Sequence, residues 1–291
     1  MTRTDLAMPE TEAPDTTGSG LKTGSSLQRD LRTLRLLWQR EMLRFARNRL
    51  RLAMGLVTPL VFLLILGTGL SSLGDGQESL RDYTTYLFPG VLLMTVQAPS
   101  LAVGVAIVWD RQAGVLRQMM VAPVRRGFLL AGICLGGAST GMAYGGMVLL
   151  VAGAANVPYH PQLLLVLLEL GVIAFAFTSV GVLAAVCIRR IESFQVVMSL
   201  LMMPMLFLSG AMFPARGLPG WLGVAVLGNP LTYGVDALRR TMPGDGADLG
   251  GRVLSPQLWG WTPPVVLEIA VIGLAALLVL GIATRRFSRV E

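Results

Sequence analysis

The chain has 291 residues, 53% hydrophobic and only 14% charged, with a mean hydropathy of +0.64. Soluble domains carry about 25% charged residues, so this balance excludes an ordinary soluble domain and, with several apolar runs of about 20 residues, indicates a polytopic membrane protein. The formal net charge of +7 comes from basic residues that are all arginine except Lys22; they gather beside the apolar runs, where such residues set topology, so the charge does not argue for a nucleic-acid partner.

Residues 1–28 are rich in Thr, Ser, Gly and Pro with almost no aliphatics, a composition that buries no core and predicts a disordered tail. No apolar h-region follows the amino end, so no signal peptide is expected and the amino terminus stays cytoplasmic. Residues 29–51 place Leu31, Leu34, Trp38 and Phe45, with Leu52 beyond, at helical spacing opposite an arginine-rich face. This predicts an amphipathic interfacial helix along the cytoplasmic surface, its arginines toward anionic headgroups.

Six spans follow at 52–73, 85–109, 127–153, 162–188, 194–213 and 263–284, each long enough at about 1.5 Å per residue to cross a core of about 30 Å. The transmembrane domain is thus 52–284, with a cytoplasmic tail at 285–291. Basic residues number 19 on the side of the two termini and 5 on the other, which predicts both termini inside. The expected fold class is an all-α polytopic membrane protein in the cell membrane.

Between spans two and three, "WDRQAGVLRQMMVAPVRR" interrupts the apolar pattern. As a helix over 110–123 it puts Trp109, Ala113, Leu116 and Met120 on one face and Arg111, Arg117 and Gln118 away from it. Asp110 is expected at its start, where negative charge complements the dipole, and Pro123 at its stop. Such a helix is too short to span; it floats at the interface or docks into something. After span five, Pro214, Pro219 and Pro230 cut 214–242 into pieces too short to cross. Asn229-Pro230 signals a helix start, and the segment reads as outer re-entrant helices packed on protein, or as an ordinary outer loop with interfacial helices.

Some chemistry is absent from the sequence. There is no GxxxxGK[ST] phosphate loop, and His160 is the single histidine, so no catalytic residues and no metal ligands are assigned. Cys134 and Cys187 lack a CxxC partner and read as small apolar fillers.

In three segments, "RQAGVLRQMMVAPVRR", "LSGAMFP" and "NPLTYGVDALR", the chain from Arg29 to Arg286 resembles the permease subunits of type-2 ABC exporters, and especially the daunorubicin-resistance-type permeases. Gly114, Leu116, Pro123, Val124 and Arg126 keep that family's pattern after span two. The resemblance implies that 110–123 is a coupling helix on a separate ATPase subunit, with Asp110, Arg111, Gly114, Leu116, Arg117, Met120 and Pro123 at the contact. Gln112 and Arg117 replace usual acids, so an acidic ATPase patch facing Arg111 or Arg117 is expected. The outer motif residues are Pro214, Asn229, Pro230, Tyr233, Asp236 and Arg239.

The resemblance further implies two ATPase copies that bind the ATP and magnesium, this chain holding no cofactor, and a second permease copy, a homodimer being preferred to a heterodimer. Membrane lipids surround it. Spans two and five are expected to line the substrate path, with Gln97, Met198, Met202, Met205 and Phe207 as candidates. Methionine thioethers adapt to varied apolar ligands, which suits drugs, antibiotics or lipids, although the same methionines serve as ordinary packing. Glu169 and Glu268 lie inside spans, where a carboxylate must face protein, water or a basic partner. Glu169 is a pathway candidate or a structural hydrogen-bonding group; Glu268 reaches headgroups or the re-entrant segment. A permease exporting polysaccharide or a teichoic-type polymer is the alternative, and a self-powered secondary transporter a more distant one.

Overall fold

The computed structural model describes residues 26–71, 77–114, 126–155, 157–211, 220–243 and 263–290. Nine α-helices appear among them: α1 (Ser26–Arg47), α2 (Arg49–Ser71), α3 (Gln77–Gln112), α4 (Arg126–Leu149), α5 (Leu163–Cys187), α6 (Ile191–Leu208), α7 (Gly220–Gly228), α8 (Pro230–Thr241) and α9 (Val265–Val290). A 3-10 turn, Ala152–Ala155, follows α4. Among the described residues five helices are long and apolar enough to cross a membrane, and the bent α1–α2 pair makes a sixth when taken as one span. The expected all-helical multi-pass fold is therefore found.

The six apolar runs become helices because lipid offers backbone groups no hydrogen-bond partner, and a helix pairs its own. Polar hydroxyls inside the bundle do the same locally. Thr95, Ser100 and Thr178 donate to the carbonyls of Val91, Val96 and Ala174, four residues back, at 2.7–2.8 Å. Pro89 and Pro99 interrupt the α3 ladder without ending the helix.

Helix α5 is the centre of the bundle, packed by α3, α4 and α9. Close approach comes from small residues, as membrane helices require in the absence of a hydrophobic drive between them. A Cβ added to Gly141 would meet Ser100 Oγ at 2.4 Å and the Ala174 methyl at 2.9 Å. Helix α6 is held on a single stripe, Phe194, Met198, Met202 and Leu206, at four-residue spacing.

The amphipathic helix differs from expectation in its ends and in part of its buried face. It breaks at Asn48, and the axes of Asp30–Arg47 and Leu52–Ile65 differ by 71°. It runs lengthwise on α4: Leu34 approaches Gly132, Glu41 approaches Gly136, Trp38 Nε1 donates to Ser139 Oγ at 2.9 Å, and Phe45 meets Tyr144 edge-on at 5.4 Å. Asp30, Leu37 and Glu41 are buried while Leu31 is exposed. The glycines of α4 set this, because they admit a helix backbone whatever side chains that helix carries.

Candidate functional site

Helices α2, α3 and α6 enclose a cleft of about 850 Å³, within the usual size range of small-molecule sites. Met54 and Thr58 of α2, Met94 and Gln97 of α3, and Ser199, Met202 and Met203 of α6 line it. Gln97 stands 15 residues from the end of α3, about 22 Å by helical rise. The Ser199 hydroxyl donates to Val196 O at 3.0 Å, which leaves the Gln97 amide as the larger polar feature of an apolar wall.

Of the expected path residues, Gln97 and Met202 meet here and the rest do not line the cleft. Met198 is buried in a core cluster with residues of α3, α4 and α5. Met205 packs against the main core, and Phe207 is exposed. Glu169 is buried on α5, where it accepts from the Thr241 hydroxyl at 2.6 Å. Helical spacing explains the split, since α6 turns one stripe inward and its methionines are spread around it. Met54, Thr58, Met94 and Ser199 were missed; methionines recurring in α2 and α3 as well as α6 were the available signal.

At the end where α3 and α5 begin or are joined by α8, charged groups are buried together. Arg240 uses its whole fork. Nε and Nη2 bond Asp236, Nη2 also bonds Glu268 Oε1 at 2.8 Å, and Nη1 donates to Pro263 O at 2.8 Å. Arg239 lies 4.1 Å above the Tyr86 ring and donates to Gly210 O at 2.7 Å, which also accepts from Tyr86 Oη at 3.2 Å. Glu268 is 1% exposed and Glu169 7%, and Oε2 of each has no hydrogen-bond partner among the described residues. So Glu268 reaches the α7–α8 segment, one of its two expected partners.

Helix α8 starts as the sequence requires. Pro230 occupies the first turn, and Asn229 Oδ1 accepts from Leu231 N at 3.1 Å. Asn229 Nδ2 donates to Met205 O at 2.6 Å, while Thr232 and Tyr233 hydroxyls donate to Val226 O and Leu227 O. Asn229→Ala removes both the cap and the tie to α6. A loss of about 0.5–2 kcal/mol is expected, read as a lower unfolding midpoint in detergent. Pro214 lies outside the described residues.

At the opposite end, helix α3 runs on to Gln112. Asp110 therefore sits in its last turn, not at a helix start; nothing in the sequence breaks the helix before Gly114, whose φ of 75° suits a glycine terminator. Negative charge is disfavoured at a helix C-terminus, and Asp110 is answered by Arg40 of α1 at 3.8 Å. Arg111 Nη1 donates to Ala185 O at 3.0 Å and Gln112 Nε2 to Arg189 O at 3.1 Å, so both side chains turn toward their own chain. Trp109 and Ala113 are exposed. Leu116, Arg117, Met120 and Pro123 lie outside the described residues.

Among the described residues no three His, Cys, Asp or Glu side chains are grouped to hold a metal. His160 is exposed in a loop, its Nδ1 3.4 Å from Gln162 N. Cys134 is buried and Cys187 exposed, both as free thiols.

Comparison with known proteins places this architecture. The family described as ABC-2 type transporter matches residues 32–242. The chain is 25% identical over 213 residues to ycf38 of Cyanophora paradoxa, named a transport permease, covering 72% of this chain and 73% of that one. It is 26% identical over 211 residues to Nodulation protein J of Rhizobium leguminosarum bv. viciae, covering 72% and 81%. Inner membrane transport permease YadH of Escherichia coli K12 is also 26% identical over 211 residues, covering 71% and 81%.

Proposed function

The chain belongs to the ABC-2 type transporter family, and from that premise we propose that it is the permease subunit of an ATP-driven exporter of hydrophobic or amphipathic molecules, such as drugs, antibiotics or lipids. It is a transport subunit, and ATP with magnesium is bound and hydrolysed by two copies of a separate ATPase subunit. Two permease copies, identical in this reading, make the path through the cell membrane. Both termini face the cytoplasm, as the basic-residue bias supports. The exposed pair Trp109 and Ala113 at the end of α3 supports an ATPase-docking segment over 110–123.

The cleft between α2, α3 and α6 carries the substrate reading. Its wall combines methionine and aliphatic surface with one amide, which suits a ligand with a large apolar body and a polar group. Export of a polysaccharide or teichoic-type polymer would call for aromatic platforms, and among the described residues no aromatic side chain lines the cleft.

The test is to purify the tagged chain gently from native membranes, identify the co-purifying ATPase, and reconstitute both in liposomes. Transport of fluorescent hydrophobic cations and fluorescent phospholipids is then monitored. Ser199→Trp puts an indole into the cleft and should sharply reduce transport while the ATPase stays bound. Leu116→Asp and Met120→Asp should release the ATPase. Gln97→Leu leaves a substrate polar group unpaired, costing about 1–3 kcal/mol, or roughly five- to 150-fold in affinity. Transport by the chain without any ATPase would overturn the reading in favour of a self-powered carrier, and transport unaffected by Ser199→Trp would remove the cleft from the path.

A further inference from the structure

The last turn of α3 sends three consecutive side chains to three elements: Asp110 to α1, Arg111 to the end of α5, and Gln112 to the joint between α5 and α6. Ala185 is within the last four residues of α5, whose carbonyls have no donor inside their own helix. A guanidinium at that point supplies the missing hydrogen bond and places positive charge at the negative end of the dipole. The joint, Ile188 to Arg190, is extended at both ends, with φ −106° and ψ 130° at Ile188 and φ −108° and ψ 137° at Arg190. Gln112 holds the carbonyl of its middle residue, Arg189. A joint of three residues, extended at both ends, leaves little slack between α5 and α6.

Beyond the joint, α6 is the mobile candidate in the bundle. It is buried on its one stripe, while Val196, Leu200, Met203 and Phe207 are exposed; Met202 and Leu206 of the stripe and Val196, Leu200 and Met203 beside it are cleft wall. A helix held by one stripe shifts more readily than α5, which is packed from several sides. The segment just before α6 is reached from α3 by two hydrogen bonds to backbone carbonyls, Ala185 O in α5 and Arg189 O in the joint, which cannot rotate out of the contact as a side-chain acceptor can.

We propose that Arg111 and Gln112 form a strap that carries movement of the α3–α4 connection to the α5–α6 joint, and thereby moves the α6 wall of the cleft. They are positioning residues for coupling, acting through the backbone of α5 and the joint, and not the surface an ATPase grips. This rests on the reading of 110–123 as the ATPase-docking segment, narrowed so that the grip begins at Ala113, because Asp110, Arg111 and Gln112 are engaged with their own chain.

The test uses the full chain with its co-purified ATPase in liposomes. The Arg111→Ala/Gln112→Ala double variant should bind the ATPase in wild-type proportion and let it hydrolyse ATP. Transport per ATP hydrolysed should fall roughly five- to 150-fold, the range of a typical coupling between linked sites. In an Arg111→Ala, Cys187→Ala background, a short bismaleimide bridge between Gln112→Cys and Arg189→Cys should restore much of it. Unchanged transport per ATP, or a bridge that restores nothing, overturns the strap. So does loss of the ATPase from the double variant, which would make Arg111 or Gln112 part of the docking surface.

A second measurement needs no disruptive variant. Spin labels at the exposed positions Ala113 and Ser193 should keep their separation between nucleotide-free and ATP-trapped states, while the separation from Ala113 to Arg286 changes. A changing 113–193 separation, or no change in either, overturns the proposal. If the wild-type chain transports without an ATPase, it is the exporter reading itself that fails.

Discussion

Arg240→Met lowers the stability of the folded chain by about 3–5 kcal/mol, the cost of removing one partner from a buried ion pair, and much less protein accumulates in the membrane. The guanidinium is the common counter-ion of Asp236 and Glu268, and its third nitrogen holds Pro263 O at the start of α9. Methionine keeps much of the volume but leaves two nearly buried carboxyls facing each other, and Oε2 of Glu268 already lacks a partner among the described residues. Each carboxyl must then be protonated or hydrated by opening the far end of the bundle. Adding Glu268→Gln to Arg240→Met should recover part of the loss, because it removes one of the stranded charges; the double-mutant cycle measures the coupling. Arg240→Lys should fall between, since an ammonium keeps the charge but not the planar fork that serves three acceptors. An Arg240→Met chain that accumulates and unfolds like wild type would show that the cluster contributes nothing net.

That cluster also marks where sequence reading stops. The spans were legible because a run of about 20 apolar residues has one stable solution in lipid. The start of α8 was legible because its signals, Asn229 and Pro230, act within two residues of each other. The depth of Glu169 and Glu268 within their spans came from counting, but their partners did not. Thr241 is 72 residues from Glu169 and Arg240 is 28 from Glu268, and only packing of α8 against α5 and α9 brings them together. The end of α3 failed differently. Asp110, Arg111 and Gln112 are polar enough to suggest a new element, yet a helix already formed continues through polar residues at little cost. The inner face of α1 was legible in part: Leu34, Trp38 and Phe45 meet α4 as their spacing suggested, but the burial of Asp30 and Glu41 depends on the partner surface, the glycines of α4.

Gly104→Val is expected to be the most damaging single change in the α3–α5 contact. A Cβ at Gly104 would fall 2.6 Å from the Gly181 carbonyl oxygen and 2.6 Å from Phe194 Cζ. The first neighbour is backbone and cannot step aside, so α3 and α5 must separate. Overpacking of this kind costs about 1–3 kcal/mol, occasionally more, and valine's two further methyls put it at the upper end. The second neighbour links the site to transport, because Phe194 is 1% exposed and opens the stripe by which α6 is held. Moving its ring shifts the start of α6, and with it the cleft wall. Gly104→Ala should show a smaller loss in the same direction. Gly281→Ala is the matched control: it lies in α9, where an added Cβ meets nothing within 4 Å. Alanine there should be neutral, or stabilising by about 0.5–1 kcal/mol through helix propensity. Unfolding midpoints in detergent for the three variants separate the two effects. Equal losses at Gly104 and Gly281 would mean that close helix approach at Gly104 is not what holds α3 to α5.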